Sequence, residues 1–183
     1  NNTLYTLIIS GGTIDTDFAL DLLKKEKYDH IIGVDGALKF CKEQNIVPTR
    51  IVGDFDTLDP EILTWYQTHT QIEIRQFNPV KDATDTQIAI ELAMELGSRK
   101  ITLVGGTGTR LDHVLGNIQT LYLPFVKGID CRIVDAHNRI RLVSGELHLK
   151  MTEQWGKYVS LIPFTTDVEG VDLIGFKYPL EKF

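Results

Sequence analysis

Along the first two-thirds of the chain, short apolar runs alternate with longer stretches of helical character. No other feature limits the fold as strongly. Leu4–Ser10 (LYTLIIS), His30–Val34, Arg50–Gly53, Gln71–Arg75, Ile101–Val104 and Cys131–Val134 read as strands. Between them, helices are expected over Phe18–Lys25, Ala37–Gln44, Pro60–Gln67 behind an Asp59 N-cap, Asp85–Leu96 and His113–Phe125. Asp85–Leu96 has the clearest signal, with Ile88, Leu92 and Leu96 on one stripe and Gly97 as its stop. Strands that alternate with helices pair in parallel, and strands covered on both faces carry nearly continuous apolar runs. The expected fold class is therefore α/β: a Rossmann-like, mostly parallel sheet with flanking helices.

Near Asp135 the pattern changes. Arg139–Val143 and Glu146–Lys150, separated by Ser144-Gly145, read as a hairpin, and Tyr158–Pro163 and Val171–Phe176 as further strands. Two domains are expected: residues 1–135 as the α/β unit and 136–183 as a smaller all-β sandwich. The 183 residues, 43% apolar, suffice for one large domain or two small ones. No apolar run reaches bilayer-spanning length and no signal peptide is visible, so no membrane association is expected. The chain opens on Asn1, and a piece of the natural N-terminus is expected to be missing. Cys41 and Cys131 lie far apart without metal or redox spacing and read as buried thiols of a reducing, cytoplasmic compartment. A net charge of −6 argues against a nucleic-acid footprint.

Ligands of open α/β sheets bind at the carboxyl ends of the strands, and four polar segments fall there. Asp35-Gly36 follows the second strand, and Gly53-Asp54-Phe55-Asp56-Thr57 follows the third. Lys81-Asp82-Ala83-Thr84-Asp85 precedes the clearest helix, and Gly105–His113 follows the fifth strand. In extended backbone Asp54 and Asp56 point the same way, an arrangement that a hard cation such as Mg²⁺ relieves. The alternative is that they cap a turn or a helix. Asp82 and Asp85 suit a helix N-terminus in their own right, yet the topology brings them to the edge that holds Asp54 and Asp56. Lys81 is the nearest cation for a phosphate. The glycines of Gly105–His113 permit close backbone approach, but neither a P-loop nor the usual dinucleotide spacing is present. Arg110 can fork onto phosphate oxygens. Asp112 can hold Arg110, accept from a hydroxyl or cap the helix, and His113 is open to acid–base or structural use. Asn117 lies one turn beyond His113 on the same side.

At these residues the chain resembles the bacterial thiamine pyrophosphokinases, over nearly its whole length. The family's Gly-Asp-Phe-Asp-Ser appears with Thr57 in the last place, its Lys-Asp-x-Thr-Asp as Lys81–Asp85, and its Gly-x-x-Gly-x-Arg-x-Asp-His loop as Gly105–His113 with Asn117 beyond. Tyr158–Pro163 and Gly175–Leu180 also look like the family's β domain. Departures are Ala37 after Asp35-Gly36, Thr109 where glycine is common, and an end at Phe183 where the family continues at its thiamine site.

The resemblance implies an ATP-dependent diphosphotransferase that moves pyrophosphate from ATP onto thiamine. It implies Mg²⁺ as cofactor and a homodimer with thiamine between subunits. Asp54, Asp56 and Asp85 are then expected at the metal, Asp82 as a further acid, and Arg110 and Lys81 at the phosphates. Asp35, Gly36, Thr84, Gly105, Thr107, Gly108, Asp112, His113 and Asn117 complete the expected nucleotide contacts. Two other readings stay open: a nucleotide- or thiamine-binding module without turnover, and a metal-dependent phosphohydrolase in which water replaces thiamine.

Overall fold

The computed structural model describes residues 3–78 and 83–183. It divides into two compact units, Asn1–His148 and Leu149–Phe183. The first is built on a seven-stranded sheet. Its strands are β1 (Tyr5–Ile9), β2 (His30–Val34), β3 (Arg50–Gly53), β4 (Glu73–Gln76), β5 (Lys100–Val104), β6 (Asp130–Val134) and β7 (Arg139–Ile140). The order across the sheet is β4-β3-β2-β1-β5-β6-β7. All neighbours pair in parallel except β6 and β7, which are antiparallel.

The helices are α1 (Thr16–Lys25), α2 (Ala37–Glu43), α3 (Pro60–His69), α4 (Asp85–Glu95), α5 (Leu111–Thr120) and α6 (Tyr122–Phe125). Their starts follow local chemistry: the side chains of Asp15, Asp59 and Thr84 accept amide hydrogen bonds at the N-termini of α1, α3 and α4. Alternation along the strands sends apolar side chains to both faces. Leu7, Ile9 and Ile51 pack with Ala19, Leu38, Cys41 and Tyr66 from α1, α2 and α3. Ile8, Ile32, Leu103 and Ile133 pack on the other face with Ala89, Ile90 and Ala93 of α4 and with Leu121. The expected α/β class, mostly parallel sheet and flanking helices are thus present.

The winding reverses once. From β1 to β4 each strand is laid outside the last; α4 then leads from the β4 edge back to β5, beside β1. Along its course α4 packs against β3, β2 and β1. Its N-terminus therefore starts above the carboxyl ends of the strands that carry Asp35 and Asp54.

Two expectations about the C-terminal part meet a different arrangement. β7 extends the first unit's sheet beyond residue 136, because a tight turn at Asp135 reverses the chain against β6. Among the described residues, Glu146–Lys150 forms no strand and the expected hairpin with Arg139–Val143 is not made. In Leu149–Phe183 a short 3₁₀ turn spans Met151–Glu153, and antiparallel pairing joins Val171 to Phe183 and Leu173 to Leu180. Ile162 and Ile174 of this unit are 84% and 89% exposed.

Candidate active site

Asp35, Asp54 and Asp85 converge: one carboxylate oxygen from each lies within 4.8 Å of the others. Asp35 closes β2 with φ 42, a left-handed conformation that aspartate tolerates, and it is 9% exposed. Its amide bonds the Val52 carbonyl, which ties the end of β2 to β3. Its Oδ1 is buried without a hydrogen-bond partner. Asp54 follows β3, and its backbone carbonyl accepts from Gln76 Nε2 at the end of β4. Asp85 is the first residue of α4, behind the Thr84 cap.

Three acids this close cannot all ionise freely without a cation. Burial, followed by the negative charges of Asp54 and Asp85, pushes Asp35 from 3.8 up to about 6. Burial, followed by Asp54, also raises Asp85. A buried, unpartnered carboxylate oxygen among three acids can hold a hard cation, and the all-oxygen set fits Mg²⁺.

The placing of Asp56 differs from expectation. Phe55 adopts φ 64, so the Asp54–Asp56 segment is not extended. The Asp56 amide turns back onto Asp54 Oδ1 at 3.1 Å, and Asp56 is exposed outside the cluster. The structure thus gathers Asp35, rather than Asp56, with Asp54 and Asp85. Lys81 and Asp82 lie outside the described residues.

The second part of the site is where β1 and β5 lie side by side. Ser10 N bonds Val104 O at 2.8 Å, Gly12 N bonds Gly105 O at 2.8 Å and Thr13 N bonds Thr107 O at 3.0 Å. The two loops approach so closely that a Cβ on Gly12 would sit 2.3 Å from the Gly105 carbonyl oxygen. One on Gly105, at φ +76, would sit 2.0 Å from the Ser10 carbonyl oxygen. Both positions therefore need glycine. Asn117 Nδ2 reaches back from α5 to the Gly106 carbonyl at 2.8 Å, and the Thr107 hydroxyl donates to Asp135 Oδ2 at 2.8 Å. Arg110 Nη2 and Nε lie 2.7 and 3.3 Å from the two Asp112 oxygens, so Asp112 holds Arg110 rather than capping α5. Both side chains are exposed, as are Gly108 and His113.

One contributor escapes the sequence reading, and Asp35, expected at the nucleotide, instead joins the acids. Gly12-Thr13 was legible as a glycine turn after the first strand, the place where α/β sheets take phosphates. Asp35 stands out as an acid directly behind a buried strand, though nothing local says that it faces Asp54 and Asp85.

Fold and site together define a doubly wound α/β protein whose acids and glycine loops share the strand-end edge where such proteins take nucleotides. Residues 15–133 match the family model "Thiamin pyrophosphokinase, catalytic domain", and residues 145–183 match "Thiamin pyrophosphokinase, vitamin B1 binding domain". The chain is 36% identical over 157 residues to the thiamine pyrophosphokinase of Bacillus subtilis (strain 168), covering 82% of this chain and 70% of that protein. The crystal structure of thiamine pyrophosphokinase from Bacillus subtilis superposes with a TM-score of 0.84 at 32% identity, over 98% of this chain and 83% of that one. The thiamin pyrophosphokinase structure from Geobacillus thermodenitrificans gives 0.74 at 31% identity, over 98% and 82%. The chain belongs to the thiamin pyrophosphokinase family.

Proposed function

We propose that this chain is a diphosphotransferase that moves the pyrophosphate unit of ATP onto thiamine. The observation that carries the reading is the convergence of Asp35, Asp54 and Asp85 on the sheet edge that also bears the paired glycine loops. The thiamine hydroxyl oxygen forms a bond to the β-phosphorus of ATP. The bond from that phosphorus to the α,β-bridging oxygen breaks, AMP leaves, and the hydroxyl proton passes to a base.

Such transfers depend on positioning and charge neutralisation. Asp35, Asp54 and Asp85 are assigned to Mg²⁺. Bound there, the cation offsets phosphate charge at the reacting centre. A carboxylate of this edge is assigned to accept the hydroxyl proton. The loops at Gly12-Thr13 and Gly105–Gly108 are assigned to the phosphates through their backbone, with Arg110 turning from Asp112 to a phosphate oxygen. As the resemblance implies, Asp56 and Asp82 are assigned as further acids and Lys81 as a phosphate contact.

Thiamine is assigned to the region matched by the vitamin B1 binding domain, where Tyr158 offers a 91% exposed ring to a cationic thiazolium. A homodimer and a cytoplasmic location complete the proposal. Supporting the latter, Cys41 and Cys131 are free and buried, with thiols pushed up by burial to about 12. Among the described residues no helix is long and apolar enough to cross a membrane.

Incubation with ATP, Mg²⁺ and thiamine tests the proposal: AMP and thiamine pyrophosphate should appear in equal amounts. AMP formed without thiamine would replace it with a hydrolase, and binding without AMP would replace it with a module lacking turnover. Sedimentation at decreasing concentration tests the dimer, whose dissociation should abolish transfer.

A further inference from the structure

Asp135 stands at the carboxyl end of β6, one strand beyond the loop that follows β5. Its Oδ1 accepts from the amides of His137 at 2.8 Å and Asn138 at 2.6 Å, and from Asn138 Nδ2 at 3.1 Å. Its Oδ2 accepts from Asn138 Nδ2 at 3.2 Å and from the Thr107 hydroxyl at 2.8 Å. Burial alone would raise this carboxyl; the donors on His137, Thr107 and Asn138 outweigh it and hold the group below its ordinary range. Asp135 is therefore an anchored, charged acceptor at any neutral pH.

Thr107 sits between two restraints. Its carbonyl accepts from Thr13 N at 3.0 Å, and its hydroxyl is given to Asp135. A threonine hydroxyl has one proton to donate, and phosphate oxygens only accept. While Thr107 bonds Asp135 it has no proton left for a phosphate.

We propose that Asp135 is a positioning residue for nucleotide binding: it takes up the Thr107 hydroxyl, so that this side chain sets the shape of the glycine loop instead of touching ATP. The inference rests on the reading of this edge as the ATP site. The links Asp135–Thr107–Thr13 join the loops after β6, β5 and β1 across the reversal of winding. The acid cluster lies on the other side, on β2, β3 and α4. Loss of the link frees a loop that must then be ordered when nucleotide binds, which weakens binding and leaves the chemical step in place.

Steady-state kinetics with varied ATP on four variants tests this. Thr107→Val and Asp135→Ala should each raise KM for ATP about tenfold with kcat within about twofold of the parent. Because both remove one interaction, the double variant should be no worse than the poorer single one. Thr107→Ser, which restores the hydroxyl, should return KM to within about twofold of the parent. An unchanged KM in Thr107→Val overturns the proposal. So do multiplied effects in the double variant, a fall in kcat at constant KM, or failure of Thr107→Ser to restore binding. Should Asp135→Ala not fold, Thr107→Val and Thr107→Ser decide the matter, since they alter only one side chain of similar size. If the parent forms no thiamine pyrophosphate, the functional reading fails and takes the inference with it. An active parent with an unaffected Thr107→Val variant defeats the inference alone.

Discussion

Replacing Asp35 by asparagine should stabilise the metal-free protein, and only above a definite pH. Asparagine accepts the left-handed backbone at φ 42 as readily as aspartate, so the change removes charge without straining the chain. In the folded state the Asp35 carboxyl is raised from 3.8 to about 6. The folded chain thus binds this proton more tightly than the unfolded chain. The contribution is fully present below about pH 4 and is lost as pH rises through about 6. Roughly two units at about 1.4 kcal/mol each give nearly 3 kcal/mol, and sharing of the repulsion with Asp54 and Asp85 makes about 2–3 kcal/mol the expected figure.

At pH 7.5 without metal, Asp35→Asn should therefore unfold about 2–3 kcal/mol later than the parent, a rise of roughly 4–10 °C in Tm for a unit of this size. At pH 4 the two should coincide. Urea unfolding in EDTA at pH 4, 5, 6 and 7.5 measures the difference curve, which cancels the other titrating groups. Adding Mg²⁺ at pH 7.5 should raise the parent by mass action and the variant far less. A flat difference between pH 4 and 7.5, or a variant less stable than the parent at pH 7.5, would refute the reasoning.

Further outcomes follow from the same site. Asp54→Asn and Asp85→Asn should each lower turnover by about a hundredfold or more while keeping the fold, whereas Asp56→Asn, outside the cluster, should cost less than about tenfold; parallel kcat and circular dichroism measurements check both. Arg110→Lys should lose much of its transfer rate yet shift Tm by less than about 1 °C, because an ion pair this exposed adds little to stability. Gly12→Ala should force apart the loops after β1 and β5 and weaken ATP binding, seen by calorimetry, with an overpacking penalty of about 1–3 kcal/mol in urea unfolding.

The elements of the α/β unit are legible because their signals are local. β2 and β3 fall at the expected His30–Val34 and Arg50–Gly53, and α4 begins at Asp85 behind a threonine cap. The acid site is legible only as a neighbourhood. Which carboxylates meet depends on Phe55 at φ 64 and on where α4 starts, and the first of these accompanies an Asp56 that lies outside the cluster. Asp35 joins the trio through the pairing of β2 with β3, a contact that no local pattern encodes. β7 is missed as part of the sheet because its two residues belong there through the Asp135 turn and not through their own strand propensity.

The place of β1 in the sheet also has a consequence for how the chain is made. β1 leaves the ribosome before the other six strands of the sheet and takes β2 as one neighbour early. Its other neighbour is β5, so that Tyr5 and Thr102, hydrogen-bonded through their side chains, are 97 residues apart in sequence. Until that distant strand has been synthesised, the middle of the finished sheet is an open edge of backbone donors and acceptors, flanked by Leu7, Ile8 and Ile9, which end up buried. Closing it is a non-local and therefore slow event. The Ser10, Gly12 and Thr13 hydrogen bonds that draw the two glycine loops together can form only in that same step. Synthesis stalled before β5 would therefore expose an aggregation-prone edge and lack a nucleotide crevice.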